Sequence, residues 1–566
     1  MATQQISTSG AMENCVLSYA DDGVEAIQCL AATMDSAADK LNSRIDSLST
    51  AMDIFFLIMA SIIMFTMQAG FALLCAGSVR KRNVQNTMMK NFLDACGSAV
   101  AFYVCGYAFA YGGTGNPTMT SFDDGRSDES HRQRFTFIGT ENFFLMGIEN
   151  YSFWMYQFAF AATATTIVAG ALAERSQMGA YFLYSVLLSG FVFPVVAHSI
   201  WSVEGFLNAF SSSRLFDSGM IDFAGSGVVH VLGGTAALIA VIILGPRTGR
   251  FHDDHGRPVD KPRPMERYSV ALQVMGVFLL WFGWYAYNAG SIHFISTEKY
   301  AEVVALAALT TTLGASSGAI TSLAVSAYWS RHKTGEVIFD TSYALNGCLS
   351  GLVSITGGCT LFEPWAALLV GIAAGVIYFV SSKTLLRYRI DDAVDAIPVH
   401  LCNGIWGVLS VGLFTSPSRM QDVFNRNDHV GWFYSLGRTS GDARLLLSNI
   451  IGLVFIISFV TSIMLPFFSL INYLGWFRAD PLEEIVGLDI RYSGGVSVEK
   501  ELLKHSSMHA VRQTLGAYKK DAEEDGEDDD LQDDTASRTT QQSYSPCTIG
   551  WHRSGQLPNI VEELDL

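Results

Sequence analysis

Two histidines in this chain stand in matching apolar surroundings. Asp222 precedes His230 by eight residues and Gly234 follows it by four; Asp392, His400 and Gly404 repeat the spacing. Ionisable groups are costly inside a membrane, and where they occur there they mark functional paths. If folding brings the two rings together, one ring nitrogen donates a hydrogen bond and the other accepts it, which requires both rings to be neutral. Two imidazolium ions at that place would repel each other and lose their hydration. A neutral pair offers donors and acceptors without charge, and suits a small polar molecule that is itself neutral while it passes. A metal site is the competing chemistry, but it needs a third or fourth ligand at ligand spacing. Cys402 is near His400, yet no His-Glu-x-x-His or Cys-x-x-Cys pattern accompanies it. His198, at the end of its own apolar stretch, reads as a membrane-interface residue.

The elements that must position these residues are membrane helices. Of 566 residues, 50% are hydrophobic and only 16% charged, with mean hydropathy +0.28, against about 25% charged residues in a soluble domain. That excludes a cytosolic enzyme and a disordered scaffold, and the net charge of −17 excludes a nucleic-acid partner. A bilayer core takes about 20 apolar residues per helix. Eleven stretches qualify, at roughly 54–77, 92–111, 152–173, 179–200, 222–245, 269–291, 301–329, 343–361, 365–386, 397–415 and 445–477. The expected fold is therefore all-α, a polytopic bundle of eleven transmembrane helices.

Basic residues follow the odd-numbered spans, as in Arg80-Lys81-Arg82 and in Arg247, Arg250, Arg257, Lys261, Arg263 and Arg267. By the positive-inside rule this puts the N-terminus outside and the C-terminus in the cytosol. Besides the histidine segments, Gln68-Ala-Gly70 and Asn288-Ala-Gly290 match between the first and sixth spans. Such matches suggest an inverted repeat of two five-helix halves, with the site between them near the midplane, and one long extra helix. That last stretch is too long to cross straight, so it must tilt, bend at Pro466 or leave the membrane.

The chain then divides into an extracellular segment at 1–50, the helical domain at 51–477, a cytosolic regulatory segment at 478–500 and an acidic tail at 501–566. No cleaved signal peptide is evident in 1–50. Cys15 and Cys29 share that polar segment and could pair if it is outside. The run from Asp521 to Asp530 reads as solvated and disordered.

The string Asp222-Phe-Ala-Gly-Ser-Gly-Val-Val-His230 closely resembles the ammonium transporter family (Amt/Mep/Rh). Gly170-Ala-Leu-Ala-Glu174-Arg175, Ala197-His198-Ser-Ile-Trp201, Trp281-Phe-Gly-Trp284-Tyr-Ala-Tyr287-Asn288-Ala-Gly-Ser291 and the His400 segment carry the same resemblance. It runs from about residue 50 to 495 and is closer to plant and algal members than to Rhesus proteins. It implies a homotrimer in the plasma membrane, each subunit with its own pore, carrying ammonium or ammonia and also methylammonium. Phe160 and Tyr287 then resemble the aromatic pair that gates the outer mouth, and Trp201 and Ser291 the outer ammonium site. Asp222 matches the required acid near that site. Trp284 and Gln157 would line the pore, and His230 and His400 match the twin histidines. No enzymatic activity and no cofactor or metal are implied. Asp222 has a structural alternative as a helix N-cap.

Two residues depart from the family pattern. Tyr287 stands where Phe is usual, and its hydroxyl could tune the gate or bind water. Arg491 stands where plant relatives carry a phosphorylatable Thr, which puts control by phosphate there in doubt. A second expectation, from another class, is a nitrogen sensor that reports ammonium to a cytosolic partner through the tail.

Overall fold

No glycine or proline interrupts residues 24–69, and the helix that results is unbroken from Gly23 to Ser78. The sequence suggests an extracellular segment at 1–50, helical-looking at 33–50, followed by a separate span; instead one helix of 56 residues, about 84 Å at 1.5 Å per residue, runs through both stretches. The computed structural model describes residues 8–18, 23–113, 136–211, 213–253, 257–259, 261–437 and 441–493. The acidic tail segment 501–566 lies outside the described residues.

Those residues form helices, with isolated bridges and no strands. Helix α1 (Thr8–Ser18) precedes α2 (Gly23–Ser78), and the Cys15–Cys29 disulfide joins them. Next come α3 (Val84–Ala101), α4 (Tyr107–Tyr111), α5 (Tyr151–Ala171), α6 (Met178–Leu187) and α7 (Phe193–Trp201). π-helical turns, Phe102–Gly106 and Leu188–Val192, link α3 to α4 and α6 to α7. Helix α8 (Leu232–Leu244) closes the first half. The second holds α9 (Val270–Ala289), α10 (Glu298–Thr334), α11 (Thr341–Thr356), α12 (Pro364–Arg387) and α13 (Asn403–Phe414). Short α14 (Pro417–Phe424) and α15 (Trp432–Ser435) lead to α16 (Arg444–Tyr473), whose interior holds Pro466. The last described helices are α17 (Pro481–Val486) and α18 (Leu488–Ser493).

Among the described residues, nine helical stretches are long and apolar enough to cross a bilayer. Helices α5 and α11, at two further stretches read as spans, are not among them: α11 has only 16 residues, and α5, despite its 21, is rich in Ala and Thr and almost wholly buried. Helix α2 packs along α9, where Gly70 and Gly276 face each other. A Cβ on Gly70 would sit 2.9 Å from the Gly276 carbonyl oxygen, and one on Gly276 would sit 2.5 Å from the Leu74 nitrogen.

One end of the bundle is fastened by buried charge. Arg247 donates to both carboxylate oxygens of Asp391 at 2.8 and 2.9 Å and to Glu174 at 2.8 Å, and Arg80 also pairs with Glu174. Burial alone would raise both carboxyls. The facing guanidinium of Arg247 outweighs it at each, with Arg80 adding to the effect at Glu174, and both are held below their ordinary range. The proximal tail packs on the same end. Arg478 donates to the carbonyls of Leu244 and Pro246, Glu484 accepts from the Thr248 N–H at 2.6 Å, and Asp489 accepts from Gln85 and Asn86 at the start of α3. A carboxylate there meets free N–H groups and the positive end of the helix dipole.

Candidate functional site

Both histidines sit on π-helical turns, Ser226–Val231 and Ile397–Cys402, each running directly into α8 or α13. Such turns often mark functional sites, because they redirect side chains that a regular helix would aim elsewhere. Each is capped by the acid eight residues before its histidine. Asp222 accepts from the backbone N–H groups of Gly227 and Val228 at 2.8 Å each, and of Gly225 at 3.2 Å. Asp392 accepts from Ile397 at 2.6 Å and Val394 at 3.3 Å. The repeated acid is thus a repeated cap, and the capping role of Asp222 holds at a position only 2% exposed.

The repeated glycine has an equally direct reason. A Cβ on Gly234 would lie 2.5 Å from the Leu401 nitrogen, and one on Gly404 would lie 2.7 Å from the Ser226 carbonyl oxygen. Each half places a glycine where the other half's π-turn crosses it.

That crossing brings His230 and His400 together. Their Nδ1 atoms are 3.2 Å apart, the ring centroids 5.1 Å, and the planes 22° from parallel. The contact needs one proton between the two nitrogens, so the accepting ring is neutral and the pair is never doubly protonated. His230 is wholly buried and His400 4% exposed; Nε2 of His230 has no hydrogen-bond partner among the described residues.

Further rings continue the line. Phe71 lies 6.3 Å from His400, while Trp284 and Tyr287 lie 5.2 and 5.9 Å from His230, both stacked on it at 21°. Phe160 meets Tyr287 edge-on at 4.5 Å, and Trp201 meets Phe160 at 5.2 Å. Trp284 is oriented by its Nε1–H on Thr356 at 2.8 Å, Trp201 by its Nε1–H on the Asp222 carbonyl at 2.7 Å.

Ser291 donates to the Tyr287 carbonyl at 2.9 Å and lies 3.2 Å from the Tyr156 hydroxyl. Gln157, one residue on from Tyr156, is buried, and its Oε1 has no partner among the described residues. Apart from Gln157, the residues singled out from sequence are joined by these contacts, and the line of rings joins residues from four helices and both π-turns.

Beyond Asp392, a polar cavity of about 140 Å³ is lined by Arg250, Arg267, Tyr378, Asp392 and Asp395 among others. Burial pushes the Asp392 carboxyl up to about 6, with Asp395 adding to the effect. Among the described residues, no group of three or more His, Cys, Asp or Glu could hold a metal ion.

Sequence reasoning missed Tyr156 and Phe71, and misplaced His198. Tyr156 donates to the Tyr287 carbonyl at 2.9 Å, a contact across 131 positions that no local pattern shows. Its only signal was its place beside Gln157 in an aromatic run. His198 is not at an interface. It is fully buried, with Nδ1 2.8 Å from the Ala110 carbonyl and Nε2 2.8 Å from the Thr136 hydroxyl, so both of its ring nitrogens have partners inside the protein.

Asp222→Ala is expected to cost about 1–3 kcal/mol for each buried N–H it leaves unpaired, read as a fall in the melting temperature of the purified protein. Asp222→Asn keeps one acceptor and should lose less. Equal losses would mean that the charge matters rather than the cap.

The family model of the Ammonium Transporter Family matches residues 54–496. Ammonium transporter 1 member 3 of Solanum lycopersicum is 36% identical over 465 residues, 80% of this chain and 94% of that one. Ammonium transporter 3 of Dictyostelium discoideum is 35% identical over 454 residues, 79% and 94%. Among solved structures, a sensor Amt protein superposes with TM-score 0.65 at 25% identity, covering 79% of this chain and 99% of that one. Candida albicans Mep2 does so with TM-score 0.62 at 24% identity, covering 76% and 86%, a likeness of fold. This chain is a multi-pass membrane protein and belongs to the ammonium transporter family.

Proposed function

We propose that the protein takes up ammonium from outside the cell across the plasma membrane, removes its proton at the aromatic gate, and conducts ammonia past His230 and His400. One observation supports the reading: the Nδ1–Nδ1 contact of two buried imidazoles, which puts hydrogen-bonding groups without any acidic side chain between them at the centre of the lane. Ammonium and potassium are nearly the same size, so size cannot separate them. At the mouth, Trp201 and the gate aromatics attract any cation, by about 0.5–2 kcal/mol, and the Ser291 oxygen accepts a hydrogen bond that only an N–H can give. Past Phe160 and Tyr287 the rings exclude water. A cation there loses its hydration without a counter-charge; ammonium escapes the penalty by leaving a proton behind, and potassium has none to leave. The proton returns by a separate polar route or crosses with the ammonia.

The same reading has the N-terminal segment outside, where the Cys15–Cys29 disulfide fits an oxidising compartment, the segment 478–500 in the cytosol, and three subunits each with its own lane. Methylammonium, which carries the same N–H groups and can lose one proton, is a substrate. Voltage clamp of expressing oocytes, with ammonium added at several pH values, beside uptake of labelled methylammonium, tests the reading; absence of both current and uptake would end it. A second reading, a sensor, is favoured by the likeness to a sensor Amt protein and by the tail packed against the loops that join the helices. Deleting residues beyond 500 separates the two: unchanged flux with lost signalling favours the sensor.

The Tyr287 hydroxyl is buried without a partner among the described residues. Tyr287→Phe is therefore expected to leave the melting temperature unchanged or raise it, by up to about 1–3 kcal/mol of relieved desolvation. A clear fall would show that the hydroxyl is bonded to something held in the lane.

A further inference from the structure

The outer part of α2 carries an apolar stripe that no described residue covers. Counting in sevens, Ile27, Met34, Leu41 and Leu48 fall on one repeating position. Ala31, Ala38, Ile45 and Met52 fall four residues after each of these. All eight are exposed, the larger ones between 46 and 68%. The five charged residues between Ile27 and Met52, which are Asp35, Asp39, Lys40, Arg44 and Asp46, all lie off the stripe. Alternating spacings of four and three, kept from Ile27 to Met52, are the pattern of a coiled-coil seam. A helix packing on a globular core instead shows a wider apolar face.

Helix α1 does not fill the seam. The disulfide fixes it at Cys29, and Cys15 also lies 3.5 Å from the Thr33 hydroxyl, on the side of α2 away from the stripe. Accordingly Ala26, Cys29 and Thr33 are half-buried while the seam stays open. A lipid surface does not fit either. The stretch continues without a break into the membrane span, so it cannot lie flat, and residues 1–50 carry seven acids against two bases. What fits a heptad seam is another heptad seam. Copies of this chain inserted in one membrane all present it from the same face, pointing the same way.

We propose that residues 27–52 form a parallel coiled coil with the same segment of other copies of this chain, a stalk that ties the subunits together above the membrane. The inference rests on the chain being a membrane protein and not on how the lane works. In a parallel coil, residues at the Leu41 position face their counterparts across the seam, whereas Ser43 points outward.

The full-length chain carrying Leu41→Cys, oxidised in the membrane with copper phenanthroline, should run at twice its mass on a non-reducing gel and return to one mass on reduction. Ser43→Cys should stay at one mass. Methylammonium uptake by both variants serves as the check that they are folded. Equal cross-linking of the two would overturn the stalk, as would a product that contains a different protein. So would the absence of a product at Leu41, Ile45 and Leu48 when each is replaced in turn by Cys.

Discussion

Arg247→Ala is expected to destabilise the protein by about 3–5 kcal/mol, the usual cost of removing one partner from a buried ion cluster. Arg247 is 4% exposed and is the group on which both Asp391 and Glu174 depend. Asp391 adjoins Asp392, which caps the turn carrying His400. The measurement is the thermal midpoint of the purified protein together with the fraction that remains monodisperse. Arg247→Lys should fall between wild type and Ala, because an ammonium cannot grip a carboxylate with two parallel bonds. Acid should act in the same direction. Asp391 and Glu174 titrate below their unfolded values. Their contribution is therefore complete above the ordinary carboxylate range, about pH 4, and is lost as pH falls through the folded values. The alanine variant should have less of that acid dependence than wild type; an unchanged profile would place the dependence elsewhere.

His230→Ala should have the largest effect on flux. It removes one of two facing rings, strands Nδ1 of His400, and opens space beside Trp284 that water can enter. A buried polar atom left unpaired costs about 1–3 kcal/mol, so uptake of methylammonium should fall between about fivefold and 150-fold. Water in the lane also weakens the penalty against ions that cannot shed charge, so potassium should begin to carry current. His400→Ala should act the same way, and uptake and current should be scored separately for each. Wild-type uptake and selectivity in both variants would remove the histidines from the path.

The apolar stretches were legible because hydrocarbon thickness sets a minimum length that few other structures imitate. The matching Asp-His-Gly spacings were legible too, and the fold gives each position a cause: a cap, a ring and a crossing. What stayed hidden was long-range or irregular. Residue periodicity does not announce a π-helical turn, and both histidines depend on one. Arg247 looked like an ordinary basic residue beside the membrane, whereas it is buried against a carboxylate 144 positions away. The reading of α2 stopped at the change in composition near residue 50, although a helix ends where capping or a breaker ends it and not where polarity changes.

The mutual glycine crossing also constrains how this lane can change over generations. Since main chain presses on main chain at Gly234 and Gly404, the gap between the two imidazoles is set by the backbone itself. Side-chain drift on the lipid face cannot adjust it. Enlarging either residue alone forces the opposite turn to yield, so no single step leads away from the arrangement. Variation is channelled to places such as position 287, where a ring can gain or lose an oxygen while the scaffold beneath it stays the same.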